Sequence, residues 1–186
     1  TIKTPWGVRA GGLGKAYSAI AEGGSAMVYN PAGFALPGVA YSYEALNFDS
    51  PNNEKFSVNS LLLSPFSLAY WSRSLSDSTI SVLSYGFGKR GNNGIDWGVT
   101  YKSIYEKYLG YERSSWSSDV GIMAHVFSFM DLAIVGRDII GVSSELPMSL
   151  SLGLAFFTPS KDLRLSTEIN YKNNDSQQRI FNSSLG

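Results

Sequence analysis

Cysteine is absent from the chain and histidine occurs once, at His125. The first absence excludes a disulfide framework and any thiolate metal site; the second leaves no zinc-ligand spacing. Charge is both sparse and balanced, with 15 basic and 15 acidic residues and a charged fraction of 16%, against roughly 25% in ordinary soluble domains. No long-range field would draw such a chain to nucleic acid or another polyanion, so no nucleic-acid partner is expected. No apolar run approaches the ~20 residues of a spanning helix, and a membrane role would therefore fall to strands.

The motifs of common catalytic and nucleotide sites are missing as well. A P-loop needs Gly, four residues, then Gly-Lys and a hydroxyl residue, so that backbone amides and the lysine meet phosphate. Counting back from Gly14-Lys15 puts Arg9 at the first glycine position, and Ala16 stands where the hydroxyl should be. Gly12-Leu13-Gly14 lacks the third glycine of a dinucleotide fingerprint. There is no Gly-x-Ser-x-Gly elbow and no compact carboxylate motif. His125, between Ala124 and Val126, reads as a core or lumen residue. The chain is expected to be no enzyme, with no cofactor, no metal and no catalytic residue.

What is present is alternation. In residues 162–172 one face carries Leu163, Leu165, Thr167, Ile169 and Tyr171, and the other Arg164, Ser166, Glu168, Asn170 and Lys172. A helix would scramble that period of two. Met148, Leu150, Leu152, Leu154 and Phe156 alternate with Ser149, Ser151, Gly153, Ala155 and Phe157; the second set is mostly small, so something can pack closely behind it. Further strands are expected at 39–48, 55–63, 66–73, 79–88, 95–105, 119–127, 132–137 and 179–186. Short connections (64–65, 128–131, 159–161) alternate with longer polar ones (108–118, 138–146, 173–178), the asymmetry of a transmembrane barrel's two ends. A soluble barrel or sandwich would show the same alternation. Aromatic residues near strand ends, Trp71, Trp97, Tyr101, Tyr105 and Tyr171, favour a lipid-facing wall with interfacial girdles.

Residues 7–34 differ from all of this, being crowded with small residues and neither strand-like nor cleanly helical. Gly7, Arg9, Ala10, Gly14, Ala16, Tyr17 and Ala19 are followed by Ser25-Ala26, Tyr29 and Asn30-Pro31-Ala32-Gly33. This pattern resembles the N-terminal region of FadL-type outer-membrane proteins, the bacterial long-chain fatty-acid transporters, and of their PorV-like relatives. It departs from them at Leu13, where Met is usual, and at Lys15, where a small residue is usual. A weaker echo of PorV-like members lies in Leu132 to Asp138, Leu146-Pro147 and Leu152 to Ala155.

The resemblance implies an all-β fold: a transmembrane antiparallel β-barrel in the outer membrane of a Gram-negative-type bacterium, with an N-terminal plug of short helices and turns. Residues 1–38 would be the plug and 39–186 the barrel, about ten strands of an incomplete fourteen-stranded wall. Ser183-Ser184-Leu185-Gly186 lacks the terminal aromatic residue usual in such barrels. The implied function is uptake of hydrophobic compounds such as long-chain fatty acids, with Arg9, Gly14, Tyr17, Asn30, Pro31, Ala32, Gly33 and Phe34 as plug and ligand path. Arg164, Glu168 and Lys172 would face the lumen as a ladder of alternating charge, or bind a polar head group. Membrane lipid and a hydrophobic small molecule are the expected partners. The alternative is a non-transporting PorV-like barrel that anchors or scaffolds a larger outer-membrane protein complex, which short outer loops would favour; a soluble lipid carrier is a third class.

Overall fold

The computed structural model describes residues 16–35, 41–49, 55–141, 148–158, 164–172 and 180–185. Ten strands form one antiparallel sheet: β1 (Tyr41–Asp49), β2 (Lys55–Leu63), β3 (Phe66–Leu75), β4 (Ser78–Arg90), β5 (Ile95–Tyr108), β6 (Tyr111–Phe127), β7 (Met130–Gly141), β8 (Ser149–Phe157), β9 (Arg164–Lys172) and β10 (Ile180–Leu185). Each strand pairs with its neighbours in the chain, the arrangement that short connections favour. The fold is all-β. Its one α-helix among the described residues is the single turn Ala26–Tyr29, flanked by 3-10 turns at Gly23–Ser25 and Pro31–Ala35. β1 and β10 stand at the two edges and are not paired with each other among the described residues. The expected closed barrel is thus represented by an open ten-stranded sheet.

One expected outer loop, and the start of another, are strand instead. Residues 108–118 were expected to form a long polar connection, but β5 and β6 run on to a tight turn at Leu109-Gly110, with Tyr108 opposite Tyr111. Leu109 and Gly110 both have positive φ, 47° and 86°, the pairing of a tight hairpin whose twist matches its strands. β7 likewise extends past Arg137 to Gly141. The reason lies in which face is polar. Ser115, Ser117 and Asp119 point to the buried side of the sheet, so a strand with a polar buried face carries the composition of a loop.

That inversion recurs on β3, β5, β6, β8 and β9, whereas β2 turns Phe56, Val58 and Leu62 inward and leaves Lys55 and Asn59 exposed. On β9, Leu165 and Ile169 are 50% and 48% exposed, whereas Ser166 and Glu168 are 1% and 3% exposed. On β8, Ser149, Ser151, Gly153 and Ala155 are buried while Leu152 and Phe156 are exposed; Leu150 and Leu154 are half-buried. Leu163 and the side chain of Lys172 lie outside the described residues. Ile122, Ile134, Val99, Trp97, Tyr101 and Tyr105 continue the apolar outer surface. Trp71 does not belong to it: it packs inward against Phe56, ring centroids 6.2 Å apart.

Among the described residues nothing covers this outer band, and no helix is long and apolar enough to cross a membrane. Contiguous apolar surface of this extent calls for lipid or another protein. If lipid covers it, Ile169→Arg should lower the stability of the protein folded in phosphatidylcholine vesicles by about 2–4 kcal/mol, read from the urea midpoint. An unchanged midpoint would argue that water, not lipid, meets this face.

Candidate functional site

Residues 16–35 lie against the inner face of the sheet, which curls around them and is apolar at Phe56, Val58 and Leu62 and mostly small or polar elsewhere. The turn Gly23–Ser25 packs on β1 and β2, and the turn Pro31–Ala35 packs on β4, β5 and β6. Contacts then continue through β7, β8 and β9. Two aromatic anchors fix the segment. Tyr17 is 1% exposed and meets Tyr29 edge-on at 5.2 Å, and Phe34 is fully buried.

Turns this short leave most of their own N–H and C=O groups unpaired, and a buried unpaired group costs about 1–3 kcal/mol. Side chains meet that demand from inside the segment and from the wall. Asn30 Nδ2 donates to the carbonyl of Ser18 at 2.9 Å and, at 3.4 Å, to that of Ile122 in β6, while its Oδ1 accepts from Ala32 N–H at 3.0 Å. Arg137 of β7 donates through Nε to the Val28 carbonyl at 3.1 Å and through Nη2 to the Tyr29 carbonyl at 2.7 Å. Its Nη1 donates to Ser151, which in turn donates to Asn170. Glu168 of β9 accepts from Ser18 N–H at 3.0 Å and stands 3.9 Å from Arg137. Glu22 is 3.6 Å from Arg164. The guanidinium fork suits two converging carbonyls because its donors are fixed in one plane.

Close approach completes the fit. Gly88, Gly98 and Gly121 lie opposite one another on β4, β5 and β6, and Asn30-Pro31-Ala32 runs across them. A Cβ on Gly98 would stand 2.8 Å from the Ala32 nitrogen, and one on Gly121 2.9 Å from Pro31 Cδ. On β4, a Cβ at Gly88 would stand 2.8 Å from Phe34 Cβ. Within the segment, Gly33 has no room for a side chain, with Ala26 Cβ 2.9 Å from where its own would be. The small face of β8 serves the same purpose: Gly153 lies beneath Ser18 and Ala19.

The structure therefore brings Tyr17, Asn30, Pro31, Ala32, Gly33 and Phe34 together in one buried unit with Arg164 and Glu168. Arg9 and Gly14 lie outside the described residues, as does the expected plug boundary at residue 38. Arg164 and Glu168 do not form a ladder along β9. Each instead turns to a partner on residues 16–35 or across the sheet, so Glu168 is engaged rather than open to a head group. Sequence reasoning missed Arg137 as a clamp; its only signal was a lone arginine at the end of an otherwise apolar run, Leu132 to Gly136. It also missed a second buried cluster, in which Lys102 Nζ lies 2.7 Å from Asp119 and 2.5 Å from Asp138. Ser117 donates to Asp138, and Asp138 N–H donates to Asp119 at 2.9 Å. These close ion pairs tie β5, β6 and β7 together where β7 bulges, its residues 137–139 standing opposite Asp119 alone.

A cavity of about 350 Å³ opens at the end of the sheet that carries the β6–β7 turn. Of the segment it borders Ala19, Ile20 and Glu22. Among the described residues no three acidic or histidine side chains are placed to hold a metal ion.

Asn30→Ala deletes one buried donor and one buried acceptor and strands the groups they served. It should lower stability by about 2–4 kcal/mol, and Gly98→Val, which collides with backbone, should be worse. Denaturant titration of both variants checks this; a loss under 1 kcal/mol for both would mean that residues 16–35 are not held as described.

The chain matches no protein-family profile, no curated protein and no solved structure.

Proposed function

We propose that the chain forms the wall and plug of an outer-membrane β-barrel that takes up hydrophobic compounds, long-chain fatty acids among them. The observation that carries this reading is the exposed apolar band: apolar and aromatic side chains stand exposed on the outer face of β3 and of β5 to β9, while the inner face is occupied by residues 16–35 and mixes serines, glycines and charged residues with an apolar patch at Phe56, Val58 and Leu62. A soluble sheet would bury its apolar face, whereas a wall in lipid presents it. The N-terminal pattern ending in Asn30-Pro31-Ala32-Gly33 resembles that of FadL-type proteins, in which the plug closes the lumen and moves on ligand binding. In this reading the Asn30 and Arg137 contacts hold the closed state. No covalent chemistry is involved.

A second reading, a non-transporting PorV-like scaffold in a larger outer-membrane complex, is favoured by one observation. The β3–β4 and β5–β6 connections are two-residue turns, Ser76-Asp77 and Leu109-Gly110, too short to collect a ligand between those strands. Uptake of a labelled long-chain fatty acid separates the two. Cells carrying the intact protein should accumulate it faster than cells lacking it, and Asn30→Ala should change that rate several-fold. No difference from cells lacking the protein, together with disturbed assembly of another surface protein on deletion, would establish the scaffold reading instead.

A further inference from the structure

The cavity at the β6–β7 end has a charge arrangement that the plug contacts do not use. Its deep side is apolar, with Ile20 and Met123 4% and 1% exposed, and Phe127 and Phe157 form its walls. Its polar rim is almost fully paired. His125 is held between Asp131, 2.9 Å from Nδ1, and the buried Asp96, 3.1 Å from Nε2. Arg164 reaches Glu22 at 3.6 Å and lies over the Phe157 ring at 5.8 Å. Arg90, at the end of β4, lines the same cavity, is exposed, and has no ion-pair partner among the described residues.

From this juxtaposition we infer that the cavity is a binding site for a compact organic anion: an apolar body against Ile20, Met123, Phe127 and Phe157, and a carboxylate on Arg90. Size sets the class. At about 30 Å³ for each water-sized group, 350 Å³ holds roughly a dozen non-hydrogen atoms. A two-ring aromatic acid or a medium-chain acid fits whole, whereas a long acyl chain would extend beyond it. Volumes of ~300–1,000 Å³ are usual for small-molecule sites, which puts this one at the small end. Arg90 can offer a bidentate pair to a carboxylate, and the flat walls of Phe127 and Phe157 suit a ring. Glu22 and Asp131 also line the cavity but are engaged by Arg164 and His125, so Arg90 is the charge left to meet a ligand, and a neutral molecule would leave it unused.

The inference rests on the uptake reading for its place in a passage, yet binding is measured without transport. The full chain in an uncharged detergent is titrated calorimetrically with 2-naphthoate, with the neutral 2-naphthylmethanol and with palmitate. Saturable one-to-one binding of 2-naphthoate is expected, at least about fivefold tighter than the alcohol, the weight of one partly exposed charge contact. Palmitate should bind no tighter than 2-naphthoate. Arg90→Gln should abolish the preference for the anion, and Arg90→Lys should restore part of it. Ser128→Phe, at the exposed turn beside the cavity, should block binding of both naphthyl compounds. Absence of saturable binding, or equal affinity in the intact protein and Arg90→Gln, would overturn the site. Binding as described in a protein that transports nothing would keep the site and defeat the uptake reading; uptake by a protein that does not bind 2-naphthoate would do the reverse.

Discussion

Buried backbone without a ladder is the constraint on which this structure depends. Residues 16–35 contain one turn of α-helix and two 3-10 turns, too little to satisfy their own polar groups. Arg137, Asn30 and Glu168 supply the missing partners. Once those three are inside, the face of the sheet that meets the segment cannot be an ordinary apolar core face. Over β5, β6, β8 and β9 it carries serines, glycines and charged residues, and the apolar half of those strands is turned outward; only toward β2 does it become apolar, at Phe56, Val58 and Leu62. The exposed leucines and isoleucines are therefore not a separate feature. They follow from what the sheet encloses.

The glycine row shows how steric and polar demands are met together. Asn30 reaches the Ile122 carbonyl of β6 only because Gly121 beside it has no side chain, and Pro31 and Ala32 lie flat on Gly98 for the same reason. A larger residue at either position would separate wall from segment, lengthening the Asn30 hydrogen bonds beyond useful range. The Lys102–Asp119–Asp138 cluster has a different place. It holds three strands in register at a bulge and touches none of the segment's hydrogen bonds, so it belongs to the wall alone.

Much of this was legible in the sequence. The period of two in residues 148–157 and 162–172 gave strands and faces directly, because alternation is a local property of the chain. Asn30-Pro31-Ala32-Gly33 stood out as the close of the small-residue stretch 7–34. The small face of β8 already implied a close neighbour. Other parts were hidden for physical reasons. Gly88, Gly98 and Gly121 become a row only through strand register, and they are far apart in the chain. Arg137 is a clamp only because the sheet curls. The hairpin at Leu109-Gly110 lacks the Asn-Gly or Asp-Gly that usually marks such a turn, and the strands leading to it bury serine and aspartate, so they read as loop. Charges spaced along residues 164–172 suggested partners on the same strand, whereas the interior offered nearer ones.

The central claim is that the sheet turns its apolar face to lipid and its polar face to residues 16–35. The absence of cysteine makes it directly measurable, since single cysteines introduced at Leu152, Ile169, Ser151 and Ser166 can each carry a nitroxide in the protein reconstituted into lipid vesicles. Collision with oxygen, which concentrates in the bilayer, and with a water-soluble nickel chelate is then read by electron paramagnetic resonance. The account predicts high oxygen and low nickel accessibility at Leu152 and Ile169, and low accessibility to both at Ser151 and Ser166. High nickel accessibility at Leu152 and Ile169 would contradict it.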